Sequence, residues 1–171
     1  VLGVASGFRD YEFKEIKANT TDVSNEQDVP EYFYISIPKL KIDNAQVKSN
    51  FEGSSPDKFI GHYKGSSLPG KTGNSFIFGH SVLPWFFNPK NYKTIFANLG
   101  DLKPGDEIYV TYNNSRLKYL VDSQIVLKPE NVRPLETWNP RYLNESTITL
   151  MTCWPAGTKA ERLEIRAVLE N

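Results

Sequence analysis

The sequence predicts a mainly β protein, built as a barrel of about eight short strands with one or two short helices. Short segments of aromatic and β-branched residues recur along the chain, and several of them alternate between apolar and polar residues. Glycine, proline, asparagine and serine separate these segments, as they do in turns. Many short strands joined by turns are typical of a closed or nearly closed barrel, because closure leaves no unpaired strand edge.

The segments with the strand pattern follow one another along most of the chain. In chain order they are residues 32–37, 40–47, 75–79, 107–112, 117–127, 146–152 and 163–169. Pro38 separates the first two segments, and Asn113 with Asn114 forms a turn that predicts a hairpin between the fourth and the fifth. Residues 61–73 are rich in glycine, serine and proline, so they predict a long connection made of turns.

Residues 91–99 predict a short helix. The apolar residues at helical spacing there are Tyr92, Ile95, Phe96 and Leu99. Side chains three and four positions apart lie on one face of a helix, so these four would pack together against the barrel. Gly100 follows directly and is typical of a helix end.

The domain organisation predicted for the chain is one barrel preceded by an arm. A chain of 171 residues suits a single domain that can bury its own core without a metal ion or a disulfide. Residues 31–171 contain the predicted strands, whereas residues 1–30 are mostly polar and show weak apolar periodicity. The chain begins at Val1 without methionine, which predicts that an upstream segment has been removed.

Charge and composition argue against several classes of partner and cofactor. The 20 basic and 20 acidic side chains cancel, so no long-range field draws the protein to nucleic acid or to anionic lipid. The single Cys153 forms no internal disulfide, and one cysteine with two histidines is too few for a structural zinc site. The sequence contains no compact group of acidic residues that would form a calcium site. The sequence therefore predicts no metal ion and no cofactor.

Three kinds of side chain could carry chemistry together. Cys153 follows a β-branched segment, and His80 follows the apolar segment 75–79, so both lie where a strand ends and a loop begins. Arg162 and Arg166 alternate with apolar residues and therefore share one face of the last strand. Taken singly, the residues allow plainer interpretations: a buried structural cysteine, a packed or exposed histidine, and arginines that are solvated or paired.

The combination of these segments resembles the sortases, a family of cysteine transpeptidases. The matching segments are Thr149-Leu150-Met151-Thr152-Cys153, Gly79-His80-Ser81 and Arg162-Leu163-Glu164-Ile165-Arg166. Further likeness runs through residues 37–42, 61–63, 68–70, 73–74 and 102–106. The order of the segments also matches the family, and the resemblance covers residues 32–169. It is nearest to class D and class E sortases and leaves the class open.

The resemblance implies a role for each candidate site residue. Cys153 would be the nucleophile, because a thiolate can attack the carbonyl carbon of a peptide bond. His80 would be the general acid that protonates the departing amine. Arg162 would stabilise the oxyanion or hold the substrate backbone, since a guanidinium is always charged and offers several donors. Thr152 and Trp154 are expected to support the site or contact the substrate.

The family also implies a substrate, partners and a location. Sortases cleave a C-terminal sorting signal of the LPxTG kind on secreted proteins and transfer the acyl group to an amine of a cell-wall precursor or a pilin subunit. The enzyme would lie on the extracytoplasmic face of the bacterial membrane, held by an anchor that this chain lacks, with no nucleic acid as partner. Residues 129–142 would line the pocket for the signal's apolar residue and proline. His62 is expected to be structural.

Two other classes of protein remain open from the residues alone. A metal-dependent hydrolase could use His62, His80 and a carboxylate, although closely spaced ligand pairs are absent from the sequence. A noncatalytic β-barrel binding module would also explain the strands and the aromatic content.

Overall fold

The computed structural model describes residues 29–138 and 144–171. Its strands are β1 (Tyr32–Ile37), β2 (Ile42–Phe51), β3 (Ile60–Tyr63), β4 (Gly73–Phe78), β5 (Glu107–Tyr112), β6 (Ser115–Leu127), β7 (Ser146–Trp154) and β8 (Glu161–Leu169). The predicted arm, residues 1–30, lies outside the described residues except for its last two positions. The boundary between arm and barrel therefore stays a prediction.

The strands form a closed barrel in the order β1-β2-β3-β4-β7-β8-β6-β5, and β5 pairs with β1 to complete it. This architecture confirms the predicted mainly β barrel. Most neighbours are antiparallel, whereas β2 with β3 and β4 with β7 are parallel. The parallel β4–β7 pair joins strands that are distant in sequence, which determines the position of the site described below.

The interior of the barrel is filled by side chains that alternate with more exposed ones in strands such as β1 and β5, whereas β4 and most of β7 are buried along their length. In β1, for example, Phe33, Ile35 and Ile37 are buried, while the residues between them are half-buried or exposed. Ile108 and Val110 of β5 repeat the pattern on the neighbouring strand. Burying each such side chain contributes about 1.5–3 kcal/mol to the free energy of folding. In these two strands, the alternation that predicted a strand from the sequence also identifies the side chains that form the core.

The predicted helix at residues 91–99 is wrong. The segment is a series of turns that ends in the 3-10 helix Leu99–Asp101. Three of the four apolar residues are buried as their spacing predicted, namely Ile95, Phe96 and Leu99. The backbone N–H of Phe96 donates to the carbonyl oxygen of His80, at 2.9 Å, instead of to a residue one turn earlier. A tertiary hydrogen bond therefore replaces a bond of the helical ladder.

The structure differs from the expectations from sequence in two smaller respects, one short strand and the type of the helices. The start of the region predicted as turns, residues 61–73, belongs to the strand β3, which has only four residues. So short a strand gives too few positions for alternation to be recognised. All helices among the described residues are short 3-10 turns, and none is long and apolar enough to cross a membrane.

Candidate active site

Three neighbouring strands bring the three predicted catalytic residues to one level of the barrel. Phe78 of β4 pairs in parallel with Met151 of β7, so His80 and Cys153, each two residues further on, lie level with each other. Antiparallel pairing of β7 with β8 sets Arg162 directly opposite Cys153. All three side chains line one open groove of about 620 Å³. Residues that are far apart in sequence therefore line the same groove.

Backbone and hydroxyl groups hold these strand ends together. The buried hydroxyl of Thr152 donates to the carbonyl oxygen of Gly79 at 2.8 Å, and the N–H of Gly79 donates to the carbonyl oxygen of Met151 at 3.1 Å. The hydroxyl of Ser81 donates to the carbonyl oxygen of Cys153 at 3.0 Å. Thr152 is therefore bonded to the backbone that precedes His80, and its expected supporting role in the site stays a prediction.

The thiol of Cys153 is free and half-buried at the end of β7. The next side chain, Trp154, lies on the opposite face of the strand, where it packs against the core. A Cβ atom added to Gly100 would come within 2.9 Å of the Trp154 ring, so only glycine leaves room for it there. Trp154 does not belong to the groove lining, and a direct contact between it and the substrate stays a prediction.

The imidazole of His80 is held by the loop that connects β2 with β3. Its Nε2 atom lies 2.8 Å from Oδ1 of Asp57 and 3.3 Å from the hydroxyl of Ser55. The carbonyl oxygen of His80 accepts the N–H of Phe96, so the backbone is fixed as well. Sequence reasoning missed Asp57 and Ser55, because no local pattern links this loop with the end of β4.

The guanidinium of Arg162 has backbone partners. Its NH1 group donates to the carbonyl oxygen of Lys159 at 3.1 Å and to that of Glu161 at 2.9 Å. Within residues 29–138 and 144–171, Arg162 forms no ion pair with a carboxylate. Since a guanidinium carries five N–H donors, further donors remain for a substrate oxygen.

The floor of the groove next to the thiol is apolar. Phe76 and Phe78 project from β4 and Met151 from β7 toward the outside of the barrel, because they occupy alternate positions from the core residues. Val132 and Pro134, from the connection between β6 and β7, complete this part of the lining. The described part of that connection therefore contributes apolar side chains beside Cys153, where an apolar stretch of peptide would bind.

A second pocket, polar and about 230 Å³ in volume, lies further along the outer face of β4, β7 and β8, away from the thiol. Glu164, one of two glutamates that line it, is 3% exposed and accepts two hydrogen bonds from Arg166, at 3.3 and 2.9 Å. The guanidinium carbon of Arg166 lies 5.4 Å from the ring centroid of Trp138, whose indole N–H donates to Asn74. The alternation in the last strand could have indicated this pairing, because it sets Glu164 between the two arginines on one face.

His62 lies in the core, away from this groove. It is fully buried, and burial lowers the pKa of its imidazole below the ordinary value. The N–H of Asn50 donates to its Nδ1 atom at 3.0 Å, and its Nε2 atom lies 3.0 Å from the carbonyl oxygen of Ser67. Since both ring nitrogens are engaged inside the barrel, His62 and His80 do not form the ligand pair that a metal-dependent hydrolase requires.

A closed β-barrel that presents a free thiol, an imidazole and a guanidinium in one groove has the features of a cysteine-dependent enzyme that transfers acyl groups. Residues 35–170 match the family model described as the sortase domain. The chain belongs to the sortase family and is a cysteine transpeptidase. This membership confirms the resemblance found in the sequence, and it sets aside both the metal-dependent hydrolase and the noncatalytic binding module.

Solved structures of sortases share the fold. A lid mutant of sortase A from Corynebacterium diphtheriae is 33% identical with a TM-score of 0.67, and the match covers 84% of this chain and 72% of that one. Sortase C-1 from Actinomyces oris is 29% identical with a TM-score of 0.67, covering 86% and 78%. The pilus-related sortase C of Group B Streptococcus is 29% identical with a TM-score of 0.66, covering 82% and 68%. No curated protein matches the chain.

Proposed function

We propose that this sortase cleaves a C-terminal sorting signal of the LPxTG kind on secreted proteins and transfers the acyl group to an amine. The observation that carries the proposal is the row of Cys153, His80 and Arg162 across three adjacent strands, in one groove. A nucleophile, a proton donor and an oxyanion partner are the groups that acyl transfer from a peptide requires.

In the first step, the Sγ thiolate of Cys153 attacks the carbonyl carbon of the scissile peptide bond. Negative charge develops on the carbonyl oxygen, and N–H groups of Arg162 donate to it. The C–N bond then breaks, and His80 in its protonated form gives a proton to the departing amine, because an amide nitrogen does not leave as an anion. The products are a thioester on Cys153 and a free amine.

In the second step, an incoming amine attacks the thioester carbonyl carbon. The neutral imidazole of His80 takes the proton that the amine loses, so the residue is ready for the next cycle. The C–S bond breaks, the thiolate of Cys153 is restored, and the acyl group is joined to the acceptor through a new amide bond. Arg162 stabilises the oxyanion in this step as in the first.

The apolar floor supports the choice of signal. Met151 offers a partly exposed apolar surface beside the thiol, backed by the nearly buried rings of Phe76 and Phe78, and the apolar residue and the proline of the signal would pack there. These side chains belong to strands and not to loops, so the surface is held in a fixed position. A signal that lacks its apolar residue would lose this burial.

The proposed acceptor is an amine of a cell-wall precursor or of a pilin subunit, at the extracytoplasmic face of the cell membrane. Family membership supports this assignment. One of the similar structures is described as a pilus-related sortase C, and the others include a sortase A. The balanced charge of the chain supports a peptide substrate over a nucleic acid.

Trapping of the thioester tests the proposed function. The purified protein would be mixed with a peptide carrying an LPxTG-like signal, first without and then with an amine acceptor. Mass spectrometry is expected to find a mass increase on Cys153 in the first mixture and the acyl–amine product in the second. Cys153→Ala should give neither, while circular dichroism shows an intact barrel. Transfer by the Ala variant, or a wild-type protein that is never acylated, would contradict the proposal.

A further inference from the structure

The loop between β2 and β3 places a carboxylate on the imidazole of His80. Oδ1 of Asp57 lies 2.8 Å from Nε2 of His80, within the range of a strong charge-assisted hydrogen bond. The hydroxyl of Ser55 lies 3.3 Å from both atoms, so the three side chains form a closed triangle. This contact involves neither Cys153 nor Arg162, and the mechanism above makes no use of it.

Apolar anchors on both sides hold the loop that carries Asp57. Pro56 is buried directly before it, and the ring of Phe59 packs edge-on against that of Phe51 with centroids 5.1 Å apart. The Phe59 ring also lies 6.1 Å from the ring of Tyr32. Since apolar packing holds the chain before and after Asp57, the backbone position of this residue does not depend on the weak attraction between exposed groups.

An ionised carboxylate accepts hydrogen bonds and cannot donate one. Nε2 of His80 must therefore carry a hydrogen atom whenever it bonds to Asp57, in the neutral imidazole as in the protonated one. In the neutral form this leaves the lone pair on Nδ1. In the part of the chain that the structure describes, Nδ1 of His80 has no hydrogen-bond partner.

We infer that Asp57 is a positioning residue for the transpeptidation: it holds His80 as the Nε2–H tautomer and assigns the proton transfers to Nδ1. This inference rests on the proposed function of His80. In the first step Nδ1–H donates to the leaving amine, and in the second Nδ1 accepts the proton of the incoming amine. Nε2–H stays bonded to Asp57 throughout, so no proton passes to the carboxylate. Ser55 supports the carboxylate through its hydroxyl group.

Two measurements on the same variants test the inference. Asp57→Ala removes the acceptor, Asp57→Asn keeps an oxygen without the charge, and Asp57→Glu keeps the charge. We expect Asp57→Ala to lower kcat on the order of a hundredfold, because a misplaced catalytic group costs about that much. KM should stay within about threefold, since Asp57 acts through His80 and not on the substrate. Asp57→Glu should recover part of the loss.

The second measurement reads the tautomer directly. The chain has two histidines, so the ¹⁵N signals of its imidazoles are few, and His80→Ala assigns them. His62 is an internal reference for the Nε2–H tautomer, because the N–H of Asn50 donates to its Nδ1 atom. At a pH where both rings are neutral, His80 should match His62 in the wild-type protein and become a mixture of tautomers in Asp57→Ala.

The matched control is Asp43→Asn, because Asp43, like Asp57, accepts a hydrogen bond from a serine hydroxyl, here at 3.5 Å, but is not among the hydrogen-bond partners of His80. It should leave both measurements unchanged. An Asp57→Ala variant with normal kcat, with a raised KM alone, or with an unchanged His80 tautomer would overturn the inference. Failure of the wild-type protein to form a thioester would instead overturn the proposed function, and the tautomer measurement, which needs no substrate, would still report on Asp57.

Discussion

Two pairs of identical residue types occupy different surroundings in this barrel. His80 and Arg162 lie at the groove edge, whereas His62 is buried in the core and Arg166 is held in the polar pocket on the same strand as Arg162. His62 and Arg166 are bonded to groups that keep them in place. Arg162 has backbone carbonyls as partners instead of a carboxylate, and His80 keeps one ring nitrogen without a partner among the described residues.

The difference lies in the hydrogen bonds: His62 and Arg166 are bonded inside the barrel and the polar pocket, whereas His80 and Arg162 keep a ring nitrogen and guanidinium N–H groups, respectively, that a substrate could use. A buried group whose donors and acceptors are all used contributes to folding, and its removal leaves a partner unsatisfied. A groove residue with unused donors can form new bonds with a transition state without breaking old ones.

The largest effect is expected for the two histidines. His80→Ala should lower the transfer rate on the order of a thousandfold, because it removes the group that moves the proton in both steps. His62→Gln should leave transfer nearly normal and lower the free energy of unfolding, since it disturbs bonds inside the core. Transfer assays and urea unfolding of both variants measure this. Equal losses of activity in two well-folded variants would mean that the proton donor is wrongly assigned.

The two arginines should separate in the same way. Arg162→Lys keeps the charge but loses the planar arrangement of donors, so transfer should fall on the order of a hundredfold to a thousandfold. The free energy of unfolding should change by no more than about 0.5 kcal/mol, because the lost partners are backbone carbonyls at the surface. Normal transfer by Arg162→Lys, together with a severe loss of transfer in Arg166→Ala, would mean that Arg166 and not Arg162 stabilises the oxyanion.

Arg166→Ala should mainly affect stability. It removes the partner of Glu164, which is buried, and it removes the cation from the ring of Trp138. We expect a loss of about 2 kcal/mol in the free energy of unfolding, typical of hydrogen bonds to charged groups. Glu164→Gln with Arg166→Ala should recover part of it, because the buried charge is then absent. Urea unfolding of the single and double variants tests this, and additive losses would contradict the coupling.

The smallest effect concerns pH. Burial lowers the pKa of His62 in the folded state below its ordinary value of 6.5, so the unfolded chain binds this proton more readily. The contribution of His62 is therefore fully present above pH 6.5 and decreases as the pH falls below that value. The wild-type protein should lose more stability between pH 7.5 and 5.5 than His62→Gln does. Parallel pH dependences in the two proteins would show that His62 does not titrate differently on folding.

Local patterns predicted much of the fold and of the site. Alternation and β-branched residues identified most strands. They also predicted that β4 and β7 end near His80 and Cys153, and so where these two residues lie. Their meeting follows from the parallel β4–β7 pair, which no local pattern determines. The same limit explains the wrong helix at residues 91–99, where the N–H of Phe96 bonds to His80 across the fold. Apolar spacing shows which side chains are buried and leaves the backbone bonds undetermined.

The sequence by itself determined the mainly β class, the strand ends that carry the thiol and the imidazole, the strand face that carries the guanidinium, and the resemblance to a family. These follow from residue type and local order, because a strand repeats every two residues and a motif is contiguous. Only the tertiary structure decided which partner each residue has: Asp57 for His80, Glu164 for Arg166, and the barrel interior for His62. Such partners come from distant parts of the chain, and they are set by strand pairing and packing, which depend on the whole fold.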